Sequence, residues 1–241
     1  MDVLILAGGK VDETLRRRIG VEYRAQLPFG KQTMLERVLK AVRKFGNIKV
    51  VSTAEVEGLP VIPAGRSFVE SLGNGLAQIT SETFLLVTAD IPFITAEAID
   101  DFLERCDKTA LINYPIIPLD AAEAAYPGIK RTSYRLSIGP VTGGNIALVN
   151  TAMMRRSLPK LEKAYKNRKN VLKLALLIGP GILGRFVVGA ALPKTLTVQS
   201  LEQAIGKIMG GRVKAIYTEH AEIGNDIDNI EQYEQAVQML V

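Results

Sequence analysis

Cysteine and histidine are nearly missing from this 241-residue chain, which has only Cys106 and His220. A lone cysteine excludes an internal disulfide and a cysteine-built metal site. A lone histidine, here in a polar segment near the end, would have to carry any Ser–His–Asp triad or histidine-rich metal centre alone, so both classes are set aside. An uninterrupted apolar run is also missing. A membrane span needs about 20 consecutive apolar residues, and the one long apolar stretch, 171–189, is broken by Lys173, Gly179-Pro180-Gly181 and Arg185. No stable membrane insertion is expected from it, and burial in a core or at an oligomer face suits it better, with a homodimer as one outcome. RNP, zinc-finger and helix-turn-helix signatures are lacking, as is a concentrated basic arm, which argues against nucleic acid. The start shows a short strand and glycines without a basic leader region, so the cytoplasm is the expected location.

What remains is an ordinary globular composition, 47% apolar and 23% charged, in a chain long enough for one large α/β domain or two small ones. The chemistry falls to Asp, Lys and Arg. A net charge of +5 and a pI near 9.3 favour anionic partners such as nucleotides and phosphorylated metabolites.

The chain is organised around its opening, Val3-Leu4-Ile5-Leu6-Ala7-Gly8-Gly9-Lys10, followed by Arg16, Arg17, Arg18 and Arg24. The apolar run reads as a buried strand, and the two glycines let the backbone turn tightly. Exposed amides and nearby cations can cradle phosphate. The same pattern also serves a plain strand-to-helix turn, and local sequence alone does not separate the two.

Periodicity predicts strands over 2–6, 48–52, 59–63, 84–87 and 110–114, and helices over 32–45, 67–79 and one capped by Thr95. Such alternation implies a doubly wound, mostly parallel sheet, with ligands outside the carboxyl ends of its strands. Gly8-Gly9 and Asp90 both fall at such ends. The middle reads as a small β insertion beside the sheet: a strand over 131–138, a turn at Gly139-Pro140, and a strand over 146–149. A helix over 151–167 is expected to break or kink near Pro159. A helix over 198–209, a strand over 213–217 and a last helix over 230–240 complete the chain.

Three carboxylates stand out: Asp90 after an apolar strand, and Asp226 and Asp228 in a loop before the last helix. One or two hard carboxylate oxygens, completed by phosphates and waters, are what Mg²⁺ takes. Asp226 equally suits a helix N-terminus or a turn with no metal.

Taken together, Leu6-Ala7-Gly8-Gly9, the segment Arg24-Ala25-Gln26-Leu27-Pro28-Phe29-Gly30 and the helix at Met34-Leu35-Glu36-Arg37-Val38 resemble the opening of the MobA-like nucleotidyltransferases. Val87-Thr88-Ala89-Asp90-Ile91-Pro92-Phe93 is similar to that family's metal-binding strand end. Gly224-Asn225-Asp226-Ile227-Asp228-Asn229 is similar to its closing acidic motif, and Thr142-Gly143-Gly144-Asn145 to its acceptor-side loop. The resemblance implies a three-layer, Rossmann-like GT-A-type fold over residues 1–241, to which the apolar and helical patterns add an expected apolar helical insertion at 151–210 and a C-terminal helical appendage. It implies transfer of an NMP from an NTP to a phosphorylated small molecule, with release of pyrophosphate. It further implies that Leu6, Ala7, Gly8, Gly9, Arg66, Ser71 and Asn74 meet the nucleotide. Arg18 and Arg24 would hold the triphosphate, Asp90 with Asp226 or Asp228 would hold Mg²⁺, and Thr142, Gly143, Gly144 and Asn145 would face the acceptor. Two departures stand against the family pattern: Arg24 replaces the usual Lys, and the loop from Lys10 to Arg24 is long and contains Asp12 and Glu13. They keep a non-catalytic nucleotide-binding relative in play. A GT-A glycosyltransferase using a nucleotide-sugar is the other alternative.

Overall fold

A computed structural model describes residues 1–56, 58–166 and 196–240. The apolar stretch 171–189 lies outside the described residues. Strand β1 (Asp2–Leu6) is buried along its whole length, and its alternating side chains serve two layers. Val3 and Ile5 join a core with Val38 and Val42 of α2 (Met34–Val42) and with Ile99 and Phe102 of α4 (Ala96–Arg105). Leu4 and Leu6 enter a second core on the opposite face, with Leu72 and Leu76 of α3 (Phe68–Leu76) and Met153 and Met154 of α6 (Thr151–Lys166). Helices therefore cover both faces of the sheet, which is why its central strands can be apolar throughout.

The nine-stranded sheet runs β5 (Val61–Pro63), β4 (Asn47–Ser52), β1, β6 (Thr83–Thr88), β10 (Ile146–Asn150), β7 (Ile112–Pro118), β9 (Gly139–Gly143) and β8 (Tyr134–Leu136), and β11 (Val213–Tyr217) pairs with β7 in parallel. Strands β5, β4, β1 and β6 are mutually parallel, whereas β10 is antiparallel to both β6 and β7. The expected α/β, mostly parallel architecture is present. Leu6 pairs with Thr88 in the β1–β6 register, so the chain leaves both strands at the same edge and sets Gly8-Gly9 beside Asp90.

A third core ties the chain's two ends together. Leu15 of α1 (Glu13–Ile19), Phe29 and Met34 pack on Ile227 and on Tyr233 and Ala236 of α8 (Ile230–Gln238). The Tyr233 hydroxyl donates to the Pro28 carbonyl at 2.7 Å.

Several expectations are corrected. The helix expected over 32–45 starts later, because Gln32-Thr33 (β3) pairs with Pro28-Phe29 (β2) and Thr33 forms a capping box with Glu36. The middle segment is not an insertion beside the sheet: β10 lies inside it, and β9 and β8 extend it. Gly139-Pro140 opens β9 instead of making a turn, and the strand expected over 131–138 is only β8. The helix α6 runs through Pro159 without a break. The strand expected over 110–114 starts later, at Ile112, and continues to Pro118. Its Pro115 falls between two pairings, with β10 up to Asn113 and with β9 from Ile116, where the missing N–H is tolerated. The helices α1 and α5 (Leu119–Ala125) were not expected from periodicity. The last helix of the described middle, α7 (Val198–Met209), lies where the sequence places it and ends in Gly210.

Candidate active site

A cleft of about 820 Å³ opens at the carboxyl edge of β1 and β6. Of the residues expected to meet a nucleotide, Leu6, Gly8, Gly9, Arg66, Ser71 and Asn74 line it, together with Arg24 and Asp90. Ala7 is buried behind them, its N–H held by the Val51 carbonyl at 2.8 Å. The two glycines do different work. A Cβ on Gly8 would sit 2.9 Å from the Ala64 Cβ, so only glycine lets the 63–66 loop close on this turn. On Gly9 a Cβ would only touch the Arg24 guanidinium, at 3.6 Å. Ser71 and Asn74 act on the opposite wall. The Ser71 hydroxyl accepts from Gly65 N–H at 3.0 Å, and the Asn74 amide donates to the Pro63 carbonyl at 2.9 Å, fixing that loop.

The long segment after Gly9 proves ordered by its unusual residues. Asp12 is the N-cap of α1, its carboxylate accepting from Leu15 N–H at 2.7 Å, and Glu13 is the acid of the first turn. The helix ends at Gly20 with φ 80°, and backbone bonds from Val11 to Glu22 and from Arg24 to Gly9 bring the chain back to the cleft. This places the four arginines very differently. Arg16 pairs with Glu22, Arg17 with Glu13 and Arg18 with Glu234 of α8. Arg18, expected to hold the triphosphate, does not line the cleft and lies with Arg17 at a separate surface depression. Only Arg24 reaches the centre. Lys10, Tyr23, Thr53 and Thr88 also line the cleft and were not anticipated as site residues.

At that centre the Arg24 Nη1 donates to Asp90 Oδ2 at 2.7 Å and to Asp228 Oδ1 at 2.5 Å, and its Nε to the Lys10 carbonyl at 3.2 Å. The closing loop is docked here by its backbone, Ile227 N–H donating to the Asp90 carbonyl at 2.9 Å while the Ile227 side chain is fully buried. The flanking carboxylates thus go to different partners. Asp226 meets the Arg131 guanidinium at 2.7 Å, and Arg131 also donates to Asn225 Oδ1 at 3.3 Å. Burial pushes the Asp226 carboxyl above its usual range; Arg131 opposes this, and the charges of Asp90 and Asp228 add to it. Asp90 Oδ1 and Arg131 Nε are buried without a hydrogen-bond partner among the described residues. No three acidic, histidine or cysteine side chains among the described residues converge on one cation position. Asp90 and Asp228 are brought together through Arg24, and Asp226 is drawn aside by Arg131.

Beyond this centre lies a polar pocket of about 210 Å³, lined by Thr142, Gly143, Asn145, Lys130, Arg131, Asp226 and Asp228 among others. Three of the four residues expected on the acceptor side line it. Gly144 instead packs into the fold: its N–H donates to the Pro115 carbonyl at 3.0 Å, and a Cβ there would lie 2.6 Å from the Pro115 ring. Arg131 is the functional candidate that sequence reasoning missed. Its one trace is the adjacent basic pair Lys130-Arg131 in the segment Pro127-Gly128-Ile129-Lys130-Arg131.

Residues 3–173 match the family description of a MobA-like NTP transferase domain. A hypothetical transferase from Thermus thermophilus is 32% identical, with a TM-score of 0.83 and 98% of each chain covered. The 2-C-methyl-D-erythritol 4-phosphate cytidylyltransferase of Thermus thermophilus is 18% identical, with a TM-score of 0.58 over 99% of this chain and 98% of that one. A nucleotidyl transferase from Methanothermobacter is 14% identical, with a TM-score of 0.56 over 99% of this chain and 96% of that one. The last two likenesses speak to the fold alone. No curated protein matches the chain.

Proposed function

The chain belongs to the MobA-like NTP transferases, a family of nucleotidyltransferases, and from that premise we propose that it moves an NMP from an NTP to a phosphorylated small-molecule acceptor as a single transferase domain. The observation that carries the reading is the placement of two polar cavities on either side of one charge cluster, Arg24 and Asp90 lining the larger and Asp228, paired with Arg24, lining the smaller. The NTP lies in the larger cleft against Gly8 and Gly9. An oxygen of the acceptor phosphate attacks the α-phosphorus and forms the new P–O bond. The bond from that phosphorus to the bridging oxygen breaks, and pyrophosphate leaves with the electron pair. The nucleophile is already an anion, so no protein base is required. The protein's work is positioning and charge stabilisation. Arg24 stabilises charge at the transferring phosphorus, Lys10 lies where the triphosphate enters, and Arg131 meets the acceptor's phosphate.

The residues fit a magnesium ion. Asp90 Oδ1 is an orphaned buried acceptor, and Asp90 and Asp228 present hard oxygens around one cationic position, now taken by Arg24 Nη1. Asp90 and Asp228 would hold the ion, with Asp226 beside them. When bound it would supply charge neutralisation of the NTP phosphates.

Binding of the four NTPs with and without Mg²⁺, followed by a pyrophosphate-release screen against phosphorylated acceptors, tests the proposal. Asp90→Ala is expected to abolish the Mg²⁺-dependent part of nucleotide binding, and unchanged metal dependence would reduce Asp90 to a partner of Arg24. A nucleotide-sugar that binds where no NTP does would favour a glycosyltransferase. Because both carboxylates already hold Arg24, a non-catalytic relative is a second reading, and NTP binding without turnover on any acceptor would support it.

A further inference from the structure

The polar pocket does not end the path. It opens onto a third cavity, of about 520 Å³, with which it shares Tyr114, Tyr134, Thr142 and Gly143. The walls of this cavity are mainly apolar, its charged lining residues being Glu202 and Lys214, which pair with each other at 3.2 Å. Ile112, Tyr114 and Ile116 are alternate residues of β7 and so present one face of the sheet. Leu136 and Val141 come from β8 and β9, and Leu201 and Ile205 of α7 close the opposite side. Tyr114, Tyr134 and Ile205 keep 39%, 57% and 44% of their surface exposed, although they face one another across a cavity. An apolar cavity of this size, within the range of small-molecule sites, is unusual on a surface that binds nothing there.

In the adjoining polar pocket stand Lys130, exposed, and Arg131, whose buried Nε has no hydrogen-bond partner among the described residues. We propose that the acceptor is an amphiphile, a phosphate monoester of an apolar alcohol, with its phosphate at Lys130 and Arg131 and its hydrocarbon body between α7 and the β7–β9 face. The order of the cavities carries this. Nucleotide cleft, carboxylate–arginine centre, cationic pocket and apolar cavity follow one another, so among the described residues the apolar cavity is the space that lies next to a molecule whose phosphate is held at Lys130 and Arg131. Tyr114 and Tyr134, at the junction, offer one apolar face and one hydroxyl each, as suits the boundary of an amphiphile. The assignment of the acceptor's phosphate rests on the transferase reading above, whereas the pocket's preference for an apolar body does not.

The test is calorimetric titration of n-alkyl monophosphates from ethyl to decyl, each kept below its micelle concentration, on the full chain. The expected result is an affinity that rises about fourfold per added methylene until the cavity fills. Ile205→Glu changes an exposed position and should flatten that slope, weakening decyl phosphate by about tenfold or more while ethyl phosphate is unaffected. Lys130→Gln should lower affinity by a similar factor at every length and leave the slope unchanged. Affinity independent of chain length, or a slope intact in Ile205→Glu, would overturn the proposal. Pyrophosphate release with short, polar phosphate acceptors alone would also overturn it, while leaving the transferase reading in place. Chain-length-dependent binding with no NMP transfer from any NTP would defeat the transferase reading and leave the amphiphile site standing.

Discussion

Arg131 is less exposed than any other charge of the site, at 8% against 17% for Asp90 and 28% for Asp226. A buried guanidinium needs its counter-charge, and Asp226 supplies it. The pair is uneven. Burial lifts the Asp226 carboxyl, and the neighbouring Asp90 and Asp228 lift it further, while Arg131 is the main influence drawing it down, with a smaller one from a backbone hydrogen bond. A carboxyl raised above its unfolded value of 3.8 binds its proton more tightly in the native state. Its contribution to stability is therefore fully present below that value and lost as pH rises through the native one. Removing Arg131 raises the native value again. Arg131→Gln should cost about 1–3 kcal/mol at pH 7, where Asp226 is left as an unpaired buried anion. The gap to wild type should narrow as pH falls towards 4 and the carboxyl takes up a proton. Urea unfolding of both proteins at the two pH values measures this, and a gap that widens on acidification would contradict it.

At the scale of elements, the sequence was most readable where one period governs a whole segment. The burial of β1 and β6 follows from unbroken apolar runs, and α7 and β11 lie where their patterns place them. Asp90 was legible for the same reason, since a residue that follows a central strand must emerge at the sheet edge. The failures have a different physics. The helix α1 has one buried residue, Leu15, so it carries no periodic stripe, and its capping acids looked like departures from a phosphate loop. Strand β7 hides behind two prolines and changes partner midway. Arg131 was silent because its partners, Asn225 and Asp226, are far away in sequence. The change of partner along β7 depends on Gly144, whose Cβ would meet Pro115 at 2.6 Å and Ile223 at 2.7 Å, neither of which can swing aside freely. Gly144→Ala should therefore destabilise by about 1–3 kcal/mol. Gly9→Ala, with only an ordinary contact to Arg24, should stay within about 0.5 kcal/mol of wild type. Urea midpoints of the two variants decide this, and equal effects would mean that the crowding at Gly144 relaxes without cost.

The molecule as a whole closes its site with both chain ends. Arg24 and Asp228 are 204 residues apart, and the third core holds α1 against α8 behind them. Each end alone presents half of a charge pair. The N-terminal segment brings Arg24 from one side, β6 brings Asp90 from beneath, and the C-terminal loop brings Asp228, fastened through the Ile227 amide. On the proposed function, a nucleotide in the cleft would touch the first two directly and, through Arg24, engage the third. Occupancy should thus resist unfolding of the molecule as one unit, not merely of a loop. The net charge of +5 would favour the approach of such an anion. For a ligand that binds only the native state, a concentration of about 100 Kd adds about 2.7 kcal/mol. In a chain of this size each kcal/mol moves Tm by roughly 2–4 °C. The preferred NTP with Mg²⁺ at that concentration should therefore raise Tm by about 5–10 °C in a single transition. In Asp228→Ala, the closing loop loses its bond to Arg24 while the cleft walls remain, so the shift should shrink without vanishing. A thermal shift series across the four NTPs reads this directly. Two separate transitions with nucleotide, only one of them moved, would show that the chain ends do not act together.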